Sequence, residues 1–228
     1  MKIIAALAVA ATASAALAQF QTIDFSSQFN MAHDNAYLAN GHTFPTGNQT
    51  FLGVPFALGG SGDTSTPWAW NALFGQEDSS QQSLSVATNV NGAVAVHTLI
   101  NTFWGMPGSE GSFLSITFNA TGGLSHTVDL YGDSDVRDYN QNNWTNSING
   151  TTTQNVFDNG FGQRMDMQTF VLPAAFANET LTSVVLTDRG GYAFQTAFIS
   201  GLTVQTPTPG AAAVLGLGGL GAMRRRRR

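Results

Sequence analysis

The stretch Leu114-Ser-Ile-Thr-Phe-Asn-Ala-Thr-Gly-Gly-Leu-Ser-His-Thr-Val-Asp-Leu-Tyr131 decides how this chain folds. Leu114, Ile116 and Phe118 fall on one side of an extended backbone, and Ser115 and Thr117 on the other. Successive side chains of a strand point to opposite faces, so this alternation marks a half-buried strand rather than a helical stripe. After the turn-forming Asn119-Ala-Thr-Gly-Gly123 the period returns: Val128 and Leu130 alternate with Asp129 and Tyr131, and His126 shares the parity of the apolar pair. That parity makes His126 a hydrogen-bonded core or edge residue before it makes it a ligand.

The same period recurs outward from this stretch. Val184 and Leu186 alternate with Ser183 and Thr187. Phe194, Phe198, Leu202 and Val204 share one parity in a last long strand, with Gly201 as a bulge or bend. Further strands are expected over residues 20–25, 51–58, 93–100 and 167–172 and near 152–157, making roughly eight to ten short strands with turn chemistry between them. Residues 173–177 offer one helical turn at most, and residues 44–75 and 139–159 read as long loops. The expected fold is all-β, a single jelly-roll-like β-sandwich over residues 19–205.

Composition narrows the function. Of nine basic residues, Lys2 and Arg224–Arg228 lie at the ends, which leaves Arg137, Arg164 and Arg189 against 14 acids, a body charge of about −11. Such a surface repels phosphate, so neither nucleic acid nor an anionic lipid surface is expected as a partner. The absence of Cys excludes disulfides, thiolate metal sites and thiol nucleophiles. Sixteen Phe and four Trp supply the apolar area of a core instead.

Both ends read as addresses. Lys2, an apolar run and the ending Ala16-Leu17-Ala18 make residues 1–18 a secretory signal peptide, with Gln19 the first mature residue. At the other end, residues 206–228 place Pro207, Pro209 and Gly210 before an uncharged apolar run and then Arg224, Arg225, Arg226, Arg227 and Arg228. The run is shorter than the about 20 residues of a full membrane helix, and its Arg flank holds that end in the cytoplasm. The G-x-G-x-x-G spelled by Gly216, Gly218 and Gly221 follows a Pro-rich breaker rather than a strand, so it carries no dinucleotide reading.

The order Pro-x-Pro-Gly, short apolar helix, Arg cluster resembles the PEP-CTERM sorting signal of bacterial surface proteins, with Thr208 where that family has Glu. The resemblance implies processing by an exosortase-like enzyme after export, contact with the membrane only through the tail before that step, and a cell-surface or extracellular location. In the body, Phe51-Leu-Gly-Val-Pro-Phe56, Thr98-Leu-Ile-Asn-Thr-Phe-Trp-Gly105, Val136-Arg-Asp-Tyr139, Arg164-Met-Asp166, Leu172-Pro173 and Leu186-Thr-Asp188 are together similar to galactose-binding-like β-sandwich modules associated with carbohydrate. That likeness carries no ligand residues over.

Chemistry-bearing constellations are few. There is no G-x-S-x-G, H-E-x-x-H, P-loop or regular calcium-loop spacing, and the four His are scattered. Asp133, Asp135 and Asp138, with Asn142 or Asn143, offer hard oxygens for one Ca²⁺; the competing reading is an acidic turn in which Arg137 pairs with Asp138 or Asp166. Arg164 and Arg189 have Asp166 and Asp188 as sequence neighbours and candidate partners. Trp68 and Trp70 share one side of an extended segment and, with Trp144, would form a stacking platform for sugar, or else cap the ends of the core. The expectation is an exported, non-catalytic protein that binds or structures extracellular polysaccharide. Two alternatives remain: a glycan hydrolase, which needs a facing carboxylate pair, and a matrix protein without a small ligand.

Overall fold

The computed structural model describes residues 18–29, 44–58, 68–69, 82–103, 105–141, 145–189 and 196–207, with backbone alone at 68, 69, 82 and 196. Residues Phe20–Thr206 form one compact unit. Among the described residues no helix is long and apolar enough to cross a membrane.

The strands are β1 (Gln19–Thr22), β2 (Asn48–Phe51), β3 (Val54–Ala57), β4 (Trp68–Ala69), β5 (Gln82–Asn91), β6 (Ala95–Phe103), β7 (Ser112–Ala120), β8 (Ser125–Tyr131), β9 (Thr153–Asp158), β10 (Arg164–Val171), β11 (Thr180–Asp188) and β12 (Thr196–Thr206). One sheet runs β1-β12-β6-β10-β9, with β4 also on β12; a second runs β5-β11-β7-β8; and β2 and β3 form a separate two-stranded sheet. The assigned pairings between these strands are antiparallel. The chain changes sheet from β4 to β5, β5 to β6, β6 to β7, β8 to β9, β10 to β11 and β11 to β12, so it wraps around the core and gives the jelly-roll-like sandwich that the alternation implies.

The quoted stretch folds as expected. Leu114, Ile116, Phe118 and Leu130 are buried between the sheets, and β7 pairs with β8 from Ser112↔Tyr131 to Asn119↔Ser125. His126 lies half-buried on this edge strand, its ring stacked on Phe118. Strand β5 was not expected. Leu84, Val86 and Val90 alternate inward on it, but the intervening Ser, Ala, Thr and Asn dilute the apolar signal. Residues 51–58, expected as one strand, instead end one strand and build the next: Leu52 and Gly53, at φ 51° and 83°, make a two-residue turn between β2 and β3.

The six-stranded sheet is covered on both faces. Val96 and Ile100 of β6 pack into the inter-sheet core, whereas Leu99 and Phe103 join Phe56, Leu58, Tyr139, Met165 and Met167 in a second cluster under the β2–β3 hairpin. In β12 the expected shared parity fails for a definite reason. Register slips by one residue between Ile199 and Gly201, so Ala197, Ile199, Leu202 and Val204 all face the first core and Phe198 the second. The bulge expected at Gly201 is the device that makes this switch.

Gly201 also lets the hairpin seat. A Cβ there would lie 2.9 Å from Phe56 Cδ1 and 3.1 Å from Leu99 Cδ1. Gly201→Ala should therefore destabilise the fold by about 1–3 kcal/mol through overpacking. Denaturant titration checks this, and an unchanged midpoint would show that the second core yields freely.

Candidate functional site

Strand β8 ends at Tyr131, and a loop of uncommon polarity connects it to β9. Gly132 opens it because a Cβ would fall 1.9 Å from the Met106 carbonyl oxygen. Asp133 adopts a left-handed φ of 60°, which Asp tolerates better than most residues. Its Oδ1 accepts from the backbone N–H groups of Asn146 (2.7 Å) and Ser147 (3.0 Å). Asp135 accepts from Tyr131 N–H through Oδ2 (3.0 Å) and from Asn149 Nδ2 through Oδ1 (3.2 Å). Asp138, fully buried, accepts from Asn140 N–H at 2.7 Å. The three acids of the expected calcium cluster thus each stitch a different part of the loop. Among the described residues no group of three or more His, Asp or Glu converges to hold a metal ion.

The loop is tied to the sheet by two arginines. Arg137 makes a bidentate pair with Asp166 of β10, Nε to Oδ2 at 2.8 Å and Nη2 to Oδ1 at 2.7 Å, and donates Nη1 to the Asn146 carbonyl. Asp166 also accepts from Asn101 Nδ2 at 2.8 Å and is fully buried. Of the two partners open to Arg137, Asp166 is the one taken. Arg164 feels the charge of its sequence neighbour Asp166 but sends its hydrogen bonds elsewhere. Its Nε donates to the Asp138 carbonyl and its Nη2 to Thr145 O and Asn146 Oδ1. Burial, with the Arg137 charge beside it, lowers the pKa of Arg164. Arg189 reaches across to Asp129 on β8 rather than to Asp188, whose carboxylate accepts from Ala197 N–H. These long-range choices leave no spacing signal in the sequence.

Beside this loop, between edge strand β8 of one sheet and β10 of the other, lies a cleft of about 190 Å³. Val128 and Leu130 of β8 and Phe170 and Val171 of β10 supply the apolar lining, and Asp135, Thr152, Thr153, Gln168 and Thr169 the polar lining. Gln168 is a fixed floor: its Oε1 accepts from Thr98 Oγ1 and Ile100 N–H, and its Nε2 donates to Ile100 O and Asp135 O. Alternation puts Val128 and Leu130 on an inward face but carries no sign that a cleft would open between β8 and β10 of the opposite sheet.

Of the expected tryptophan platform, Trp68 lies in β4, paired opposite Ile199, with its side chain outside the described residues. Trp70 and Trp144 lie outside the described residues, as do Pro209, Gly210 and Arg224–Arg228 of the expected sorting tail; Pro207 is the last described residue.

No family model matches the chain, and no curated protein matches it. Among solved structures it is similar to infectious bursal disease virus VP2 in a subviral particle, at 15% identity, with 85% of this chain and 53% of that chain covered and a TM-score of 0.28. The chain spans about half the length of that structure.

Two measurements test the network. Asp166→Ala leaves the Arg137 guanidinium without its partner and should cost about 3–5 kcal/mol in denaturant unfolding; a loss below about 1 kcal/mol would mean that the pair behaves as a surface bridge. His97 of β6 is buried between Thr169 Oγ1 and Gln205 Oε1, 3.0 Å from each, and burial lowers its pKa below the ordinary 6.5, opposed by the Gln205 bond. The unfolded chain then binds the proton more readily, so this stability is present above pH 6.5 and is lost as pH falls through the folded value. Stability measured from pH 7 to 5 should fall less in His97→Gln than in the parent; equal slopes would assign the pH dependence to other groups.

Proposed function

We propose that this is an exported, surface-sorted protein without catalytic activity that binds or structures extracellular polysaccharide. The observation that carries the reading is the internal use of the body's cations. Arg137 is engaged by Asp166, Arg164 by loop carbonyls and an amide, and Arg189 by Asp129. Among the described residues, the polar groups left for a partner are hydroxyls, amides and carboxylates, which suit a neutral glycan and disfavour polyanions. The cleft lining includes one carboxylate, Asp135, whereas a glycosidase needs a facing pair. The terminal addresses supply the route: export by residues 1–18, then sorting by the PEP-CTERM-like tail and an exosortase-like enzyme.

Retention of the protein on insoluble polysaccharides tests the binding, with calcium and then with chelator. Neutral polysaccharide should retain it and uronate-rich or sulfated polymer should not; retention by polyanion alone would overturn the proposal. The sorting part predicts an intact mass, for protein taken from its host surface, that lacks residues 1–18 and the Arg-terminated tail. A species still ending in Arg228 would contradict processing.

A further inference from the structure

We propose that the cleft between β8 and β10 receives one neutral sugar residue, a chain end or side branch of a polysaccharide, with its hydroxyls on Asp135 and Thr152 and its C–H face on Val128 and Phe170. The inference rests on the glycan-binding reading above and gives it a site.

Size limits the ligand first. A cleft of about 190 Å³ is smaller than the roughly 300 Å³ at which pockets for drug-sized ligands begin. It admits a single ring rather than an internal stretch of chain.

Polarity then selects the class of ring. Val128 on one wall and Phe170 and Val171 on the other present apolar surface, with Leu130 almost wholly buried behind them. A pyranose has a C–H face that such surface desolvates at little cost, and a rim of hydroxyls that needs fixed polar partners. Two partners are in place. Each Asp135 carboxylate oxygen already accepts one bond, from Tyr131 N–H or Asn149 Nδ2, and each keeps a second acceptor site. Two such oxygens suit a pair of neighbouring sugar hydroxyls. Thr152 Oγ1 accepts from Asn149 Nδ2 at 2.8 Å and keeps its own proton to donate. Because Asn149 Nδ2 contacts both Asp135 Oδ1 and Thr152 Oγ1, acceptor and donor sit within the span of one ring.

Charge sets the specificity. Asp135 is the one ionisable group of the lining, so a uronate or sulfated sugar meets a like charge, while a neutral sugar gives a charge-assisted hydrogen bond. The frame is rigid, since the Gln168 floor and the Thr153 hydroxyl both hold the Asp135 carbonyl. Little ordering is then needed on binding.

The test is an NMR titration of the full chain with methyl glycosides of neutral hexoses and deoxyhexoses, and with glucuronate. A ligand of about a dozen non-hydrogen atoms should bind in the millimolar range. Shifts should concentrate at residues 128–135, 152–153 and 168–171, with glucuronate at least about tenfold weaker. Two variants at exposed positions, Val171→Glu and Thr152→Val, should weaken binding by about fivefold or more each, the first with unchanged melting temperature and the second with only the small loss that one exposed hydrogen bond carries. Val171 is 78% exposed, so its replacement leaves the core intact. If neutral polysaccharide retains the protein but both variants bind as the parent does, or the shifts map elsewhere, the cleft is not the site and the functional reading stands. If glucuronate binds as tightly as the neutral sugars, the specificity inference fails. If neither polysaccharide nor monosaccharide is bound, both readings fall together.

Discussion

The structure turns on a buried, bidentate ion pair between Arg137 in the loop after β8 and Asp166 in β10. Removing two charges from water costs several kcal/mol each, and only good geometry with further hydrogen bonds recovers that cost. Both conditions hold. Asp166 accepts from Arg137, Asn101 and Asn155, and the third guanidinium donor goes to the Asn146 carbonyl. The pair converts a long polar connection into part of the sheet. Thr102 N–H donates to Arg137 O and Tyr139 N–H to Thr102 O, so residues 137–139 run alongside the end of β6 as a short extra strand. Asp135, which borders the cleft, is held from the same frame through Gln168 of β10.

A second constraint is the two-sided burial of the six-stranded sheet. In a chain without cysteines, stability has to come from packing, and two cores sharing one sheet provide it. The slip at Gly201 lets β12 serve both cores without a break in pairing. Polar residues in the middle of the sheet, such as His97 and Thr98, are tolerated because cross-strand partners satisfy them.

What the sequence could reveal follows from the range of the interactions. Alternation is local, so β7, β8 and β11 were legible from their own residues, and the fold class with them. β5 was not, because its outward positions are small and weakly polar and its inward positions include Thr88, which donates to the Leu181 carbonyl. The parity change in β12 could be suspected from Gly201 but not its direction, which the Phe56 and Leu99 contacts impose. Ion pairing was legible only as a choice of neighbours: Arg137 took one of its two candidates, while Arg164 and Arg189 took partners far along the chain. The cleft left no trace at all, since it is lined by strands of two different sheets, β8 and β10, whose approach no local pattern encodes. To the expected tryptophans, whose side chains lie outside the described residues, the proposed sugar contacts add a carboxylate and a hydroxyl already used to shape a loop.

If the pair makes the loop a part of the core, its amides must open with the core. Native-state hydrogen exchange of the full chain tests that claim most directly, at the N–H groups of Tyr131, Asp138, Asn146 and Ser147, whose acceptors are loop groups. The account predicts protection comparable to that of β10, lost together across the loop in Asp166→Asn. Rapid exchange at those four amides in the parent protein, with β10 still protected, would contradict it.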